Sequence, residues 1–454
     1  MASQPSAPPA RLPGDEAAAP PAYRRGRAWL ITAMIVTFMV VNFADKAVLG
    51  LAAVPIMEEL HISHGTYGLI SSSFFLLFSL SGLVVGFFSS RVTSRTLLFV
   101  MTLTWALAQL PVLIVAAVPT LIAGRVLLGA AEGPAASMSM HALYKWFPPH
   151  RRGFPSALQI SGAALGTLIS APVLTWLITD HGWRSAYLAL AVVSAAWALI
   201  WWYVGHDGPF DDTRAAPEGT AGEAPGGSAR AGAARLPYRR LLSAGTVVGS
   251  ISSAFGAHWA LSLSHAWLPS YLRTELGMAP GVAASTISAV AALSFVLLLT
   301  VSPLMDLLKS RGVSSRWSSG AAQGIAVCVA GCAMIVFPFV DATAPRLVLI
   351  AMAFAVGTVT VPLHYMTAAE VTPSTQRGAL FGIIAATGTL PGLVAPSLTG
   401  HLIDAAGAPG AGYTHAFLLT AAVMLCAGVL AVVCIRPERD ARRLMLNSGA
   451  GQAS

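Results

Sequence analysis

Twelve long apolar runs divide this chain, and each is long enough to cross a lipid bilayer. A helical span needs about 20 such residues. The runs lie near 28–56, 67–89, 96–117, 120–143, 154–179, 185–204, 244–272, 282–307, 318–340, 345–369, 378–403 and 413–435. In lipid every backbone N–H and C=O has to be satisfied internally, so only helices or a closed barrel remain. The runs are continuously apolar instead of alternating, which excludes a barrel. Only 10% of residues are charged, against about 25% in soluble domains. The expected fold is an all-α membrane protein with twelve transmembrane helices in two six-helix, pseudo-symmetric halves.

The cations support the same count. Arg11, Arg24, Arg25 and Arg27 precede the first run. Alternate connections then carry Arg91 and Arg95; Lys145, Arg151 and Arg152; Arg214, Arg230, Arg235, Arg239 and Arg240; Lys309, Arg311 and Arg316; and Arg377. The end carries Arg436, Arg439, Arg442 and Arg443. The intervening connections hold only Arg184, Arg273 and Arg346. By the positive-inside rule both termini are cytoplasmic, and one missed span would scramble the pattern. The net charge of +8 is thereby explained without a nucleic-acid partner.

Residues 1–27 read as a disordered cytoplasmic tail, followed by a run too long to be a cleaved signal. Residues 28–204 form the first six-helix bundle and 241–436 the second. Residues 205–240 are Gly/Ala/Pro-rich and polar, a cytoplasmic linker unable to bury a core. Residues 437–454 form a second tail. The halves look related. "RRGFPSALQISGAALGTLISAPVLTWL" from Arg151 and "QRGALFGIIAATGTLPGLVAPSLTGHL" from Gln376 share R-G, small residues and a late proline. Paired repeats with a site at their interface are a transporter architecture.

Four ionisable residues sit deep in spans: Asp45 and Lys46 in the first, Arg125 and Glu132 in the fourth. Each charge costs about 2.5–3.5 kcal/mol at a membrane helix centre on insertion scales, and such residues are functional by default. Arg125 and Glu132 are seven apart, so they project from one helix face about 10 Å apart along the axis. Burial penalises a charged carboxyl, so Asp45 and Glu132 can exchange protons near neutral pH. A guanidinium stays charged and grips carboxylates, which makes Arg125 and Lys46 the anion-binding candidates. The competing reading has all four pairing only to hold two helices together. His258 and His265 share a face of the seventh span, with His141 and His364 near the ends of the fourth and tenth. Internal hydrogen bonding is the commoner explanation for such histidines, and substrate contact or proton relay the alternative. Close helix packing accounts for pairs such as Gly162/Gly166 and Gly388/Gly392, and Pro172, Pro391 and Pro396 are expected to bend their helices.

The order R-x-L-x-G, E-G-P, W-F-P, a basic loop and G-W-R within "GRVLLGAAEGPAASMSMHALYKWFPPHRRGFPSALQISGAALGTLISAPVLTWLITDHGWRSAY" resembles the major facilitator superfamily. The similarity is to its anion:cation symporter branch, with "WLPSYL" at 267–272 matching the seventh helix. The resemblance implies the major facilitator fold and the roles above for Asp45, Lys46, Arg125 and Glu132. It adds Thr387 and Thr389, near a position where the branch often has Asn, as substrate contacts. The superfamily loop motif is partly kept. Gly86 and Arg91 fit while Ser90 and Thr93 depart, and in the second half Asp306 fits while Leu307 departs. A gating salt bridge is expected from Arg91 and from Asp306 with Arg311 or Arg316. The first-helix Y-x-D-R of the branch is Phe43, Ala44, Asp45 and Lys46 here, and a second-helix Tyr is Phe78.

These observations point to an inner-membrane secondary transporter, not an enzyme, importing a small organic carboxylate with protons by alternating access. The partners are that anion, protons and the bilayer, with no cofactor or metal, and the chain is expected to act as a monomer. The four cysteines lie in apolar runs without metal-ligand clustering. A proton-coupled antiporter or exporter shares the fold and reverses the flux. A non-transporting anion sensor is the remaining alternative.

Overall fold

The computed structural model describes residues 25–88, 92–148, 151–210, 236–373 and 376–450, all helical apart from short connections. Among the described residues nine helical rods are long and apolar enough to span: Arg25–Leu51, Ser94–Ile114, Gly153–His181, Trp183–Val204, Pro280–Ser310, Arg316–Phe339, Thr343–Val371, Arg377–Ala405 and Gly410–Cys434. Three more complete the twelve, each made of two consecutive helices: His64–Ser73 with Phe75–Phe88, Val118–Glu132 with Ala135–Tyr144, and Gly245–Ala266 with Leu268–Thr274. Two of these interruptions have a local cause. Pro134 and Pro269 lack the N–H an uninterrupted helix needs, and their rings crowd the carbonyl one turn back. Pro391 likewise opens the second helix of the eleventh span, whereas Pro172 and Pro396 sit inside continuous helices.

The packing repeats with a shift of six spans. The first span packs on the fifth and the third on the sixth; the seventh packs on the eleventh and the ninth on the twelfth. Across the halves the second meets the eleventh, and the fifth meets the eighth. Side chains such as Leu30, Trp176 and Val193 are exposed on the outside of the bundle, where lipid is their solvent. Apolar burial gives little drive between helices in lipid, so close packing does the holding. In the first half Phe38 lies 4.5 Å from Trp105 and 5.1 Å from Trp197. In the second half Phe417 sits 4.8 Å from Phe337 and 5.0 Å from Tyr271.

Two stretches read from the sequence as linker and tail are built into the bundle. Residues 205–210 pack on the first half, where Asp207 forms an ion pair with Lys145 at 3.3 Å and accepts the Ser94 N–H. Pro437–Ala450 is a helix against the second half, with Leu444 in the core and Asp440 accepting from Thr246 N and Oγ1. An apolar stripe on an otherwise polar helix gives it a docking face. Residues 1–24 and 211–235 lie outside the described residues.

The seam between the halves is tightest on the face away from the termini. Ser63 caps the second span by accepting the Thr66 N–H at 3.2 Å. Asp404, at the end of the eleventh span, then takes over the neighbouring amides. Its Oδ1 accepts from His64 N at 3.1 Å and His64 Nδ1 at 2.9 Å, and its Oδ2 from Gly65 N at 2.7 Å. Asp404 thus places a carboxylate at the positive end of a helix. Gly400 lets the backbones meet: a Cβ there would stand 2.2 Å from the His64 carbonyl oxygen. Tyr67 Oη, 3.0 Å from the Leu49 carbonyl and 3.1 Å from that of Ala266, ties the first, second and seventh spans.

Candidate functional site

Asn42, Asp45 and Lys46 occupy one turn of the first span, so 42 and 46 lie on the same face. Lys46 Nζ donates to Asn42 Oδ1 at 2.5 Å and forms an ion pair with Glu132 Oε2 at 3.0 Å. Its ammonium also lies over the rings of Phe43 and Phe78, at 4.4 and 5.5 Å, so aromatic faces replace part of its lost hydration. Asp45 is fully buried. Gln109 of the third span donates to its Oδ1 at 2.8 Å, and its Oδ2 has no hydrogen-bond partner. Arg125 Nη1 donates to the Asp45 backbone carbonyl at 3.3 Å, while its Nη2 is buried without a partner.

The four charged residues therefore meet, and each fourth-span residue takes a different partner. Glu132 engages the Lys46 side chain and Arg125 the main chain at Asp45. Two formal positive and two formal negative charges share one buried region. At low dielectric a neutral set of this kind is far cheaper to bury than any single member.

A small cavity, half open, with about 50 Å³ that a water could reach, lies beside these groups, between the two halves. Lys46 and Arg125 reach it from the first half, and Ser262, His265 and Pro396 from the second. His265 Nδ1–H donates to the Leu261 carbonyl at 2.9 Å, and its ring lies 6.3 Å from that of Phe43.

The other expected contacts lie elsewhere. His258, Thr387 and Thr389 are absent from the cavity wall. His258 Nδ1–H donates to Ala254 O at 2.9 Å and the Thr387 hydroxyl to Ile383 O at 2.7 Å, each satisfied within its own helix. Thr389 Oγ1 lies 2.6 Å from Ser79 Oγ, a bond between the second and eleventh spans. His364 is buried on the tenth span against Tyr365.

The expected gating bridge is not formed among the described residues. Asp306 is exposed and pairs with neither Arg311 nor Arg316; Arg91 lies outside the described residues. The eighth span stays helical through Ser310, and Gly312, at φ +87°, turns the chain away. Arg316 then meets the C-terminal helix, its N–H donating to Glu438 Oε1 at 3.4 Å. The ion pair at this end of the span is Lys309 with Glu370 of the tenth span, at 2.8 Å.

The sequence reading missed Asn42, Gln109 and Tyr187. Tyr187 is buried, with its hydroxyl facing Arg125. A lone amide such as Gln109 inside an apolar run was the available signal, since lipid offers it no partner.

Comparison with known proteins places this geometry. The model of the Major Facilitator Superfamily matches residues 34–367. The hexuronate transporter of Bacillus subtilis (strain 168) is 24% identical over 401 residues, covering 88% of this chain and 92% of that protein. The D-galactonate transporter of Escherichia coli O6:H1 is 25% identical over 422 residues, covering 90% and 95%. Among solved structures, a bacterial homologue of the human lysosomal transporter Spinster, inward-facing and unoccupied, superposes with a TM-score of 0.69 at 15% identity, covering 93% of this chain and 98% of that one. A D-xylose–proton symporter gives 0.68 at 15% identity, covering 90% and 98%. These two likenesses concern the fold. With a transporter fold, a charged cavity between its halves and hexuronate and galactonate transporters among its sequence relatives, the chain belongs to the Major Facilitator Superfamily.

Proposed function

We propose that this secondary transporter imports a small organic anion together with protons by alternating access. It would sit in the inner membrane with both termini in the cytoplasm. One observation carries the reading: Asp45, Lys46, Arg125 and Glu132 meet beside a cavity that both halves line. Arg125 Nη2, buried and unpartnered, is the donor a carboxylate would take up. Asp45 Oδ2, also unpartnered, is where one proton would rest. Protonation of Glu132 would dissolve its ion pair with Lys46 and turn that ammonium toward the substrate. The loaded site then carries little net charge, which lowers the cost of passing through a closed, low-dielectric state. Rocking of one half against the other exposes the site to the opposite face, where anion and protons leave.

The test uses the full chain in liposomes, with hexuronate, galactonate and simple monocarboxylates as probes. Symport requires the external medium to turn alkaline as an anion enters. External acidification would instead mark an antiporter, and no counterflow with any anion would mark a sensor. In Glu132→Gln, counterflow should persist while proton-driven accumulation falls to the equilibrium level. Accumulation with an unchanged pH dependence would remove Glu132 from the coupling.

A further inference from the structure

The charged groups fix one end of a bound anion, and the rest of the cavity wall says what the other end is made of. Leu49, Phe74, Phe75, Ala266 and Pro396 supply apolar surface. Phe74, Phe75 and Phe78 form a cluster on the second span, with ring centroids 5.0, 5.4 and 5.8 Å apart. The polar wall atoms are largely committed. Ser262 Oγ donates to Trp259 O at 2.9 Å and His265 Nδ1–H to Leu261 O. Lys46 is engaged by Asn42 and Glu132 until protonation of Glu132 turns it, with Arg125, onto the carboxylate, and Arg125 Nη1 is engaged by the Asp45 carbonyl. Beyond the free guanidinium nitrogen, Ser71 Oγ is the buried wall hydroxyl without a hydrogen bond.

We infer that the carried anion is a compact monocarboxylate with an apolar, ring-sized body, in preference to a polyhydroxy acid. The inference rests on the transport reading above and narrows it. A carboxylate on Arg125 is satisfied by charge-assisted hydrogen bonds. A chain of four or five hydroxyls finds too few partners on this wall, and each left unpaired lowers affinity about tenfold or more. An aromatic ring loses nothing by leaving water and gains edge-to-face contact with Phe74 and Phe75.

The experiment is competition for counterflow by the full chain in liposomes. Benzoate, phenylacetate and cyclohexanecarboxylate are set against galactonate and glucuronate. The ring acids should compete at least tenfold more strongly. Phe75→Leu, which keeps apolar volume, should weaken phenylacetate several-fold and leave lactate within twofold. Galactonate or glucuronate competing as well as the ring acids, or Phe75→Leu affecting lactate and phenylacetate alike, overturns the inference while leaving carboxylate transport standing. No competition by any carboxylate overturns the inference and the transport reading together.

Discussion

The two halves bury different chemistry on the same frame. The first half holds two carboxylates, an ammonium and a guanidinium, and leaves Asp45 Oδ2 and Arg125 Nη2 without partners. The second half holds a neutral network, beside which His364 Nδ1 and Ser319 Oγ are left without hydrogen bonds. Ser253 Oγ donates to Gln323 Oε1 at 2.7 Å, Gln323 Nε2 to Thr367 Oγ1 at 3.2 Å, and Thr367 Oγ1 lies 3.1 Å from Ser250 Oγ. Buried polar groups that are satisfied rigidify a core, and those that are not await something. On the function proposed above, ion handling would fall to the first half and a supporting role to the second.

The strongest way to break this division is Arg125→Ala. Removing one member of a buried charged set costs about 3–5 kcal/mol, so anion affinity, measured by substrate competition, should fall at least 100-fold. Weak loss would return the charges to a purely structural role. Gln323→Leu should lower stability by about 1–3 kcal/mol through the two side-chain hydrogen bonds it loses, while Ser253 keeps the Ser250 carbonyl and Thr367 that of Leu363. Its pH profile of transport should match the parent, and a shifted profile would put the second half into proton handling. Asp404→Asn weakens the bonds to the second-span amides by about 0.3–1 kcal/mol. Hydrogen exchange across 64–72 should quicken about two- to fivefold, while that of the Gln323 network stays unchanged.

The smallest effect belongs to the rim of the first half. There the Arg184 guanidinium and the Trp183 indole, both bonded to Glu59, hold its carboxyl below the usual range. A depressed pKa contributes stability above the unfolded value and loses it as pH falls through the folded one. The Arg184 and Glu59 side chains are over 40% exposed, so solvent screening holds their ion pair to about 0–1 kcal/mol. Glu59→Gln should therefore change the melting temperature by a degree or two at neutral pH and not at all in acid.

Much of the frame was legible because lipid permits few solutions: run length gave the spans, and loop cations their alternation. The four intramembrane charges were legible for the same reason, as exceptions to an apolar rule. Their pairing was not. Seven-residue spacing puts Arg125 and Glu132 on one face and says nothing of which neighbour each meets across the bundle. Thr389 read as a substrate contact because it lies near a position where the resembled branch often has Asn, and nearness in sequence cannot separate a hydroxyl facing a cavity from one facing Ser79. Asp306 read as a latch because the motif was scored by residue type. Where the helix ends and how Gly312 turns the chain decide its partners, and those depend on packing from the far end of the sequence.

Asp404 grips main-chain amides of the second span, and this bears on turnover speed. Closure there requires no pair of oppositely charged side chains to find each other. When the halves separate, water reaches the carboxylate and the helix end at the same moment, so no ion is left stranded midway. In the alternating access proposed above, a latch of that kind would reset without searching each time the tilt reverses.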